Sequence, residues 1–193
     1  SDVCSSDLIF DYWFPNSSIQ RIATGGVVDR MKIAANGDYH EVEFRGPAIE
    51  VIDSLTFTPG AGQLSSFPQE PPPSGILGSP VPGHLGQAWL GSVPQQFFTV
   101  TEATVEVDNA IDVRNREFGS VHPRCYVPGK RRVTVSTSLY TEDRASSSAL
   151  YQAARSRIPV PFMLQLGQMP GQLLGIMVKN LTLSIPEYDD RET

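Results

Sequence analysis

Cysteine is nearly absent: the 193 residues hold Cys4 and Cys125 and no Cys-x-x-Cys pair. That spacing suggests neither a disulfide framework nor a zinc site, and points to a reduced setting in which Cys125 is a buried or loop thiol rather than a nucleophile. No run approaches the roughly 18 apolar residues of a membrane helix, so no membrane partner is expected. Positive charge is sparse, with a net charge of −6 and Lys130-Arg131-Arg132 as the one dense basic triplet, which argues against sequence-reading of nucleic acid. Gly-x-Ser-x-Gly, a phosphate loop and a strand-borne Gly-x-Gly-x-x-Gly are all missing. His40, His84 and His122 lie far from one another in sequence, and no histidine pairs with a Cys-x-x-Cys motif. We therefore expect no enzyme, no metal and no cofactor.

Composition is otherwise that of a globular protein, 40% hydrophobic and 19% charged. Ser1–Leu8, reading SDVCSSDL, match translated sequencing adapter and are set aside from fold reasoning as an artefact, Cys4 with them. Residues 9–58 hold a hairpin signal: Asn36-Gly37 joins Val28–Ala35 to Asp38–Arg45, with one wet face. Residues 59–96 open on a Pro/Gly/Ser-rich run without periodicity, expected to be a linker or extended arm.

Residues 97–193 carry the clearest pattern. Ala103, Val105 and Val107 alternate with Glu102, Thr104 and Glu106, as on a half-buried strand. Asn109–Gly129 reads as a long charged loop. Val133, Val135, Thr137 and Leu139 alternate with Thr134, Ser136, Ser138 and Tyr140. Asp143 can cap a helix over Arg144–Arg157, with Leu150, Ala154 and Ile158 on one stripe until Pro159 and Pro161 end it. Phe162, Leu164 and Leu166 resume strand alternation, Pro170-Gly171 is a turn, and two apolar segments broken near Asn180 follow. Val133, Val135, Leu164 and Leu166 are the expected core. The fold class is mainly β (α+β), an antiparallel sandwich with one flanking helix, preceded by part of a second β domain. A weak echo between Val28–Arg45 and Gly175–Thr193 would suit two copies of one domain.

Several polar motifs have two readings. Asp189-Asp190 fits a solvated turn or a calcium-like cluster. Asn16-Ser17-Ser18 and Asn180-Leu181-Thr182 fit the glycosylation pattern without an accompanying secretory signal. Lys130-Arg131-Arg132 is a charged strand entry or a contact to an acidic neighbour.

Taken in order, HEVEFRGPAIEVIDS (His40–Ser54), VPGHLGQAWLG (Val81–Gly91), VTEATVEVDNAIDVRNREFGS (Val100–Ser120), PGKRRVTVSTSLY (Pro128–Tyr140), ALYQAARSRIPVPFMLQLGQMPGQLLGI (Ala149–Ile176) and LTLSIPEYDD (Leu181–Asp190) resemble tail tube proteins of long-tailed bacteriophages. The resemblance covers nearly all of the chain after the adapter and is specific as an ordered set of blocks. It implies a tube-like β-sandwich or barrel with one helix on its side, in a structural virion protein that self-assembles into stacked rings. The rings would form the channel for DNA during ejection. Implied partners are further copies of the chain, the tape-measure, terminator and baseplate proteins of the tail, and double-stranded DNA in transit. Implied location is the virion tail, assembled in the host cytoplasm. Glu102, Glu106, Asp108, Arg114, Arg116, Arg131 and Arg132 are then candidates for lumen-facing or intersubunit roles. An acidic lumen would repel phosphate and keep DNA moving. On this resemblance the chain is truncated at both ends. The alternatives are a tube-like baseplate or tail-tip protein, and a non-catalytic carbohydrate-binding sandwich using Tyr12, Trp13 and Trp89.

Overall fold

The computed structural model describes residues 8–12, 20–68, 81–91, 95–97, 100–114, 118–119, 123, 125–140 and 145–187. Their elements are β1 (Leu8–Tyr12), β2 (Gln20–Thr24), β3 (Arg30–Ala35), β4 (Glu41–Arg45), β5 (Glu50–Asp53), β6 (Gln87–Leu90), β7 (Gln95–Phe97), β8 (Val100–Asp108), β9 (Asp112–Val113), β10 (Tyr126–Val127), β11 (Arg132–Leu139), α1 (Ala145–Ser156), β12 (Val160–Met169) and β13 (Gln172–Leu181). The fold is mainly β, with antiparallel sheets and, among the described residues, a single α-helix.

The chain forms two compact units. One comprises 1–32, 42–77 and 105–134; the other comprises 33–41, 78–104 and 135–193. The expected division into 9–58, 59–96 and 97–193 follows chain order, whereas each unit draws on three separate stretches.

The first unit contains the sheet β1-β2-β5 and the ribbon β9-β10. Its interior holds Ile22, Thr24, Ile52, Val105, Cys125 and Tyr126. The ribbon lies within the stretch 109–129 expected to be a loop. Likewise, the expected linker begins folded. A 3-10 turn at Ala61–Gln63 places Gly62 against Ile52 and Thr24, its N–H donating to Glu50 Oε2 at 3.0 Å. Phe57 meets Phe67 edge to face at 5.7 Å. The rest of the Pro-rich run, 69–80, lies outside the described residues.

The second unit is built on the sheet β13-β12-β6-β7. Val160, Phe162, Leu164 and Leu166 are buried on one face of β12, the periodicity read from sequence. Pro161 sits in this central strand because the register slips between Val160 and Phe162, the bulge position where a missing N–H is tolerated. Pro170 and Gly171, the latter at φ +82°, turn β12 into β13, which continues unbroken through Asn180. Ala154 of α1 is buried and Leu150 half-buried, but Ile158 falls beyond the helix and is 56% exposed. The helix ends in a Schellman arrangement: Ile158 N–H donates to Ala153 O and Arg157 N–H to Ala154 O, with Arg157 at φ +52°. Asp143, the expected cap, lies outside the described residues.

Three expectations are corrected. Val133 is 40% exposed and Val135 half-buried, so they are not core; β11 is a sheet edge open on both faces. The Asn36-Gly37 turn is not a two-residue loop. Five residues, 36–40, connect β3 to β4, Gly37 is not left-handed, and Asn36 Oδ1 accepts from the N–H of Asp38 and Tyr39 at 2.9 and 3.1 Å. The side chain supplies the turn, so positive φ is not needed. Nor has β4 one wet face: Val42 and Phe44 are exposed as well.

Candidate functional site

The candidate surface is the charged face of the first unit. Alternation on β8 buries Val105 and turns Glu106 and Asp108 to the other side, while β3 presents Arg30 and Lys32 beside them. Arg30 reaches both acids, Nε to Glu106 Oε1 at 3.4 Å and Nη2 to Asp108 Oδ2 at 3.3 Å. Arg45 and Glu43 on β4 pair with each other at 2.6 Å. Arg30, Lys32, Glu43, Arg45 and Glu106 line one open cleft. Three cations and three carboxylates thus interleave here, and the face is close to neutral. Ion pairs this exposed contribute about 0–1 kcal/mol each, so they orient side chains more than they stabilise the fold.

Asp108 has a second task. Its Oδ1 accepts from Ala110 N–H at 2.8 Å, and Asp29 Oδ1 accepts from Ile111 N–H at 2.7 Å. Asn109 donates to Val28 O at 3.0 Å and accepts from Arg131 Nε at 2.8 Å. This network turns the chain out of β8, with Ala110 in the left-handed region at φ +48°.

Of the sequence candidates, Glu106 and Asp108 are brought together on Arg30, and Arg131 is held through Asn109. Glu102 is exposed on the same strand, Arg132 is exposed at the start of β11, and Arg114 is exposed beside β9. Arg116 lies outside the described residues. Sequence reasoning missed Arg30 and Lys32, although their spacing of two in a strand ending in Ile33 and Ala35 was the available signal. Cys125 is also corrected: it is buried and disulfide-bonded, not a thiol.

The sheet edges form a second candidate surface. In the sheet β11-β8-β3-β4 the edge strands expose Val133 and Leu139 on β11 and Val42 and Phe44 on β4. In the second unit β13 is an edge of ten residues without proline, with Lys179 as its one charge and Leu173, Leu174 and Met177 exposed. β13, and β11 beyond Arg132, lack the proline, short length or dense charge that keep strands from pairing with other chains, whereas β4 is short and carries Glu41, Glu43 and Arg45.

Among the described residues, no group of three or more His, Cys, Asp or Glu side chains is placed to hold a metal ion, and no helix is long and apolar enough to cross a membrane. His122 and Asp189-Asp190 lie outside them. No protein-family model matches the chain, and no curated protein matches it.

Proposed function

We propose that this chain is a structural subunit of a bacteriophage tail tube, acting by self-assembly into stacked rings that channel DNA, without catalytic turnover. The observation that carries the reading is the long, weakly protected edge strands with exposed apolar side chains, together with the ordered sequence resemblance to tube proteins. An isolated chain with such edges is under pressure to pair them, and heterologous pairing between identical copies closes rings. In the tube, further copies would be the principal partners, tape-measure, terminator and baseplate proteins would meet its ends, and DNA would pass without specific contact.

The expected repulsive lumen takes a modified form in this proposal. With Arg30 between Glu106 and Asp108, a lumen lined by this face would neither hold nor strongly repel phosphate. Passage would then rest on the absence of net attraction. Negative-stain electron microscopy of the purified chain, with light scattering for mass, tests assembly. Rings or tubes with a central hole are expected; monodisperse monomers at high concentration would overturn the proposal.

A further inference from the structure

We propose that His40 is the titrating group of an acid-sensitive latch that holds the segment Pro82–Gly86 onto the connection between β3 and β4. The latch is close-fitting. Gly83 N–H donates to Asp38 O at 2.6 Å, and Tyr39 forms an antiparallel bridge with Pro82. A Cβ on Gly83 would lie 2.1 Å from Asn36 O, so the two backbones touch. The segment's 3-10 turn, Gly83–Leu85, packs in turn on β12.

His40 lies inside this junction, its ring 3.5 Å from where a Cβ on Gly86 would stand. Both ring nitrogens are shut off from solvent, and neither has a hydrogen-bond partner among the described residues. A neutral imidazole tolerates that position; an imidazolium, with two N–H donors and a charge, does not. The ionisable neighbours do not rescue it. On the connection itself Asp38 is exposed, at the start of β4 Glu41 is exposed, on the segment His84 is exposed, and β12 carries no ionisable side chain. Burial accordingly pushes His40 below the ordinary histidine value of about 6.5.

The sign follows. The closed latch binds fewer protons than the open one, so closure is fully favoured above about pH 6.5 and weakens as pH falls. The opening equilibrium rises about tenfold per pH unit until the folded-state value is reached. The segment leads directly into β6, so opening would loosen the entry to the second unit's sheet.

Hydrogen exchange of the whole chain between about pH 7.5 and about pH 5, corrected for intrinsic rates, tests the latch. The Gly83 amide should lose protection at acid pH in the wild type and in His84→Gln, and should not in His40→Phe. Protection that is flat with pH in the wild type, or acid loss that persists in His40→Phe, would overturn it. Should His40→Phe fail to fold, imidazole NMR of the wild type decides. Titration of His40 below the ordinary value sustains the latch; titration at or above it refutes the proposal.

Discussion

Three glycines of the β12–β13 hairpin separate backbone strain from steric exclusion, and substituting each with alanine gives a graded prediction. Gly167 is buried, has φ +85°, and occupies the register slip between Leu166 and Met169; a Cβ there would lie 2.0 Å from Gln172 O. Gly171 has φ +82° with open space around it, and Gly175 has open space and no left-handed φ. An L side chain held in the left-handed region costs about 1–2 kcal/mol. Forcing a strand backbone aside adds about 1–3 kcal/mol. Gly167→Ala should therefore cost roughly 2–5 kcal/mol, a large share of the roughly 5–15 kcal/mol of a typical domain. Gly171→Ala should cost only the strain, about 1–2 kcal/mol, and Gly175→Ala should gain about 0.5–1 kcal/mol from reduced unfolded-state freedom. Urea unfolding followed by circular dichroism gives the three midpoints, with slopes checked for constancy. Equal losses for Gly167→Ala and Gly171→Ala would remove the close approach to Gln172. A loss at Gly175 as large as that at Gly167 would refute the hairpin register itself.

Leu164, which pairs with Ile176 on one side and Ala88 on the other and is 3% exposed, should cost about 2–5 kcal/mol as Leu164→Ala, whereas Val133→Ala at the open edge should cost less than about 1 kcal/mol by the same denaturation assay. Arg157→Gly should stabilise by about 0.5–1 kcal/mol, because relief of the left-handed conformation exceeds the loss of a cation at the helix C-terminus; a lowered thermal midpoint would contradict this. The Asp53 carboxylate is held below its ordinary value first by the Thr56 hydroxyl, then by the Thr56 N–H, with a smaller contribution from the Leu55 N–H. Its contribution to the turn is thus present above about pH 3.8 and lost as pH falls through the folded value. The Leu55 and Thr56 amides should lose NMR protection there, and Asp53→Asn should abolish that acid step.

Much of the fold was legible locally. Alternation in Phe162–Leu166 and Ala103–Val105 identified buried faces because a strand's period of two leaves no other way to bury them. Pro159 and Pro170-Gly171 marked a helix end and a hairpin turn because proline and glycine act through their own backbones. The helix itself was legible from Leu150 and Ala154, although the third residue of the expected stripe, Ile158, falls beyond its end and is exposed. The same reasoning erred where the answer depended on a distant segment. Val133 and Val135 alternate as well as Phe162 and Leu164 do, yet β11 is an edge strand, and periodicity carries no information on how many neighbours a strand has. Asn36-Gly37 has the composition of a tight hairpin, but Asn36's own side chain and the docking of Gly83 onto Asp38 hold a longer connection. Glu106 and Asp108 were visible as an acidic row. Their neutralisation by Arg30, 76 and 78 positions away, was not, since strand order in a sheet is set by packing between remote segments. Composition and local stereochemistry by themselves determined a β-rich chain with a helix ending before Pro159 and a hairpin turn at Pro170-Gly171. Tertiary structure alone decided which strands became edges, which charges met and which histidine was shut away from water, because each of those depends on free energies shared between residues far apart in the chain.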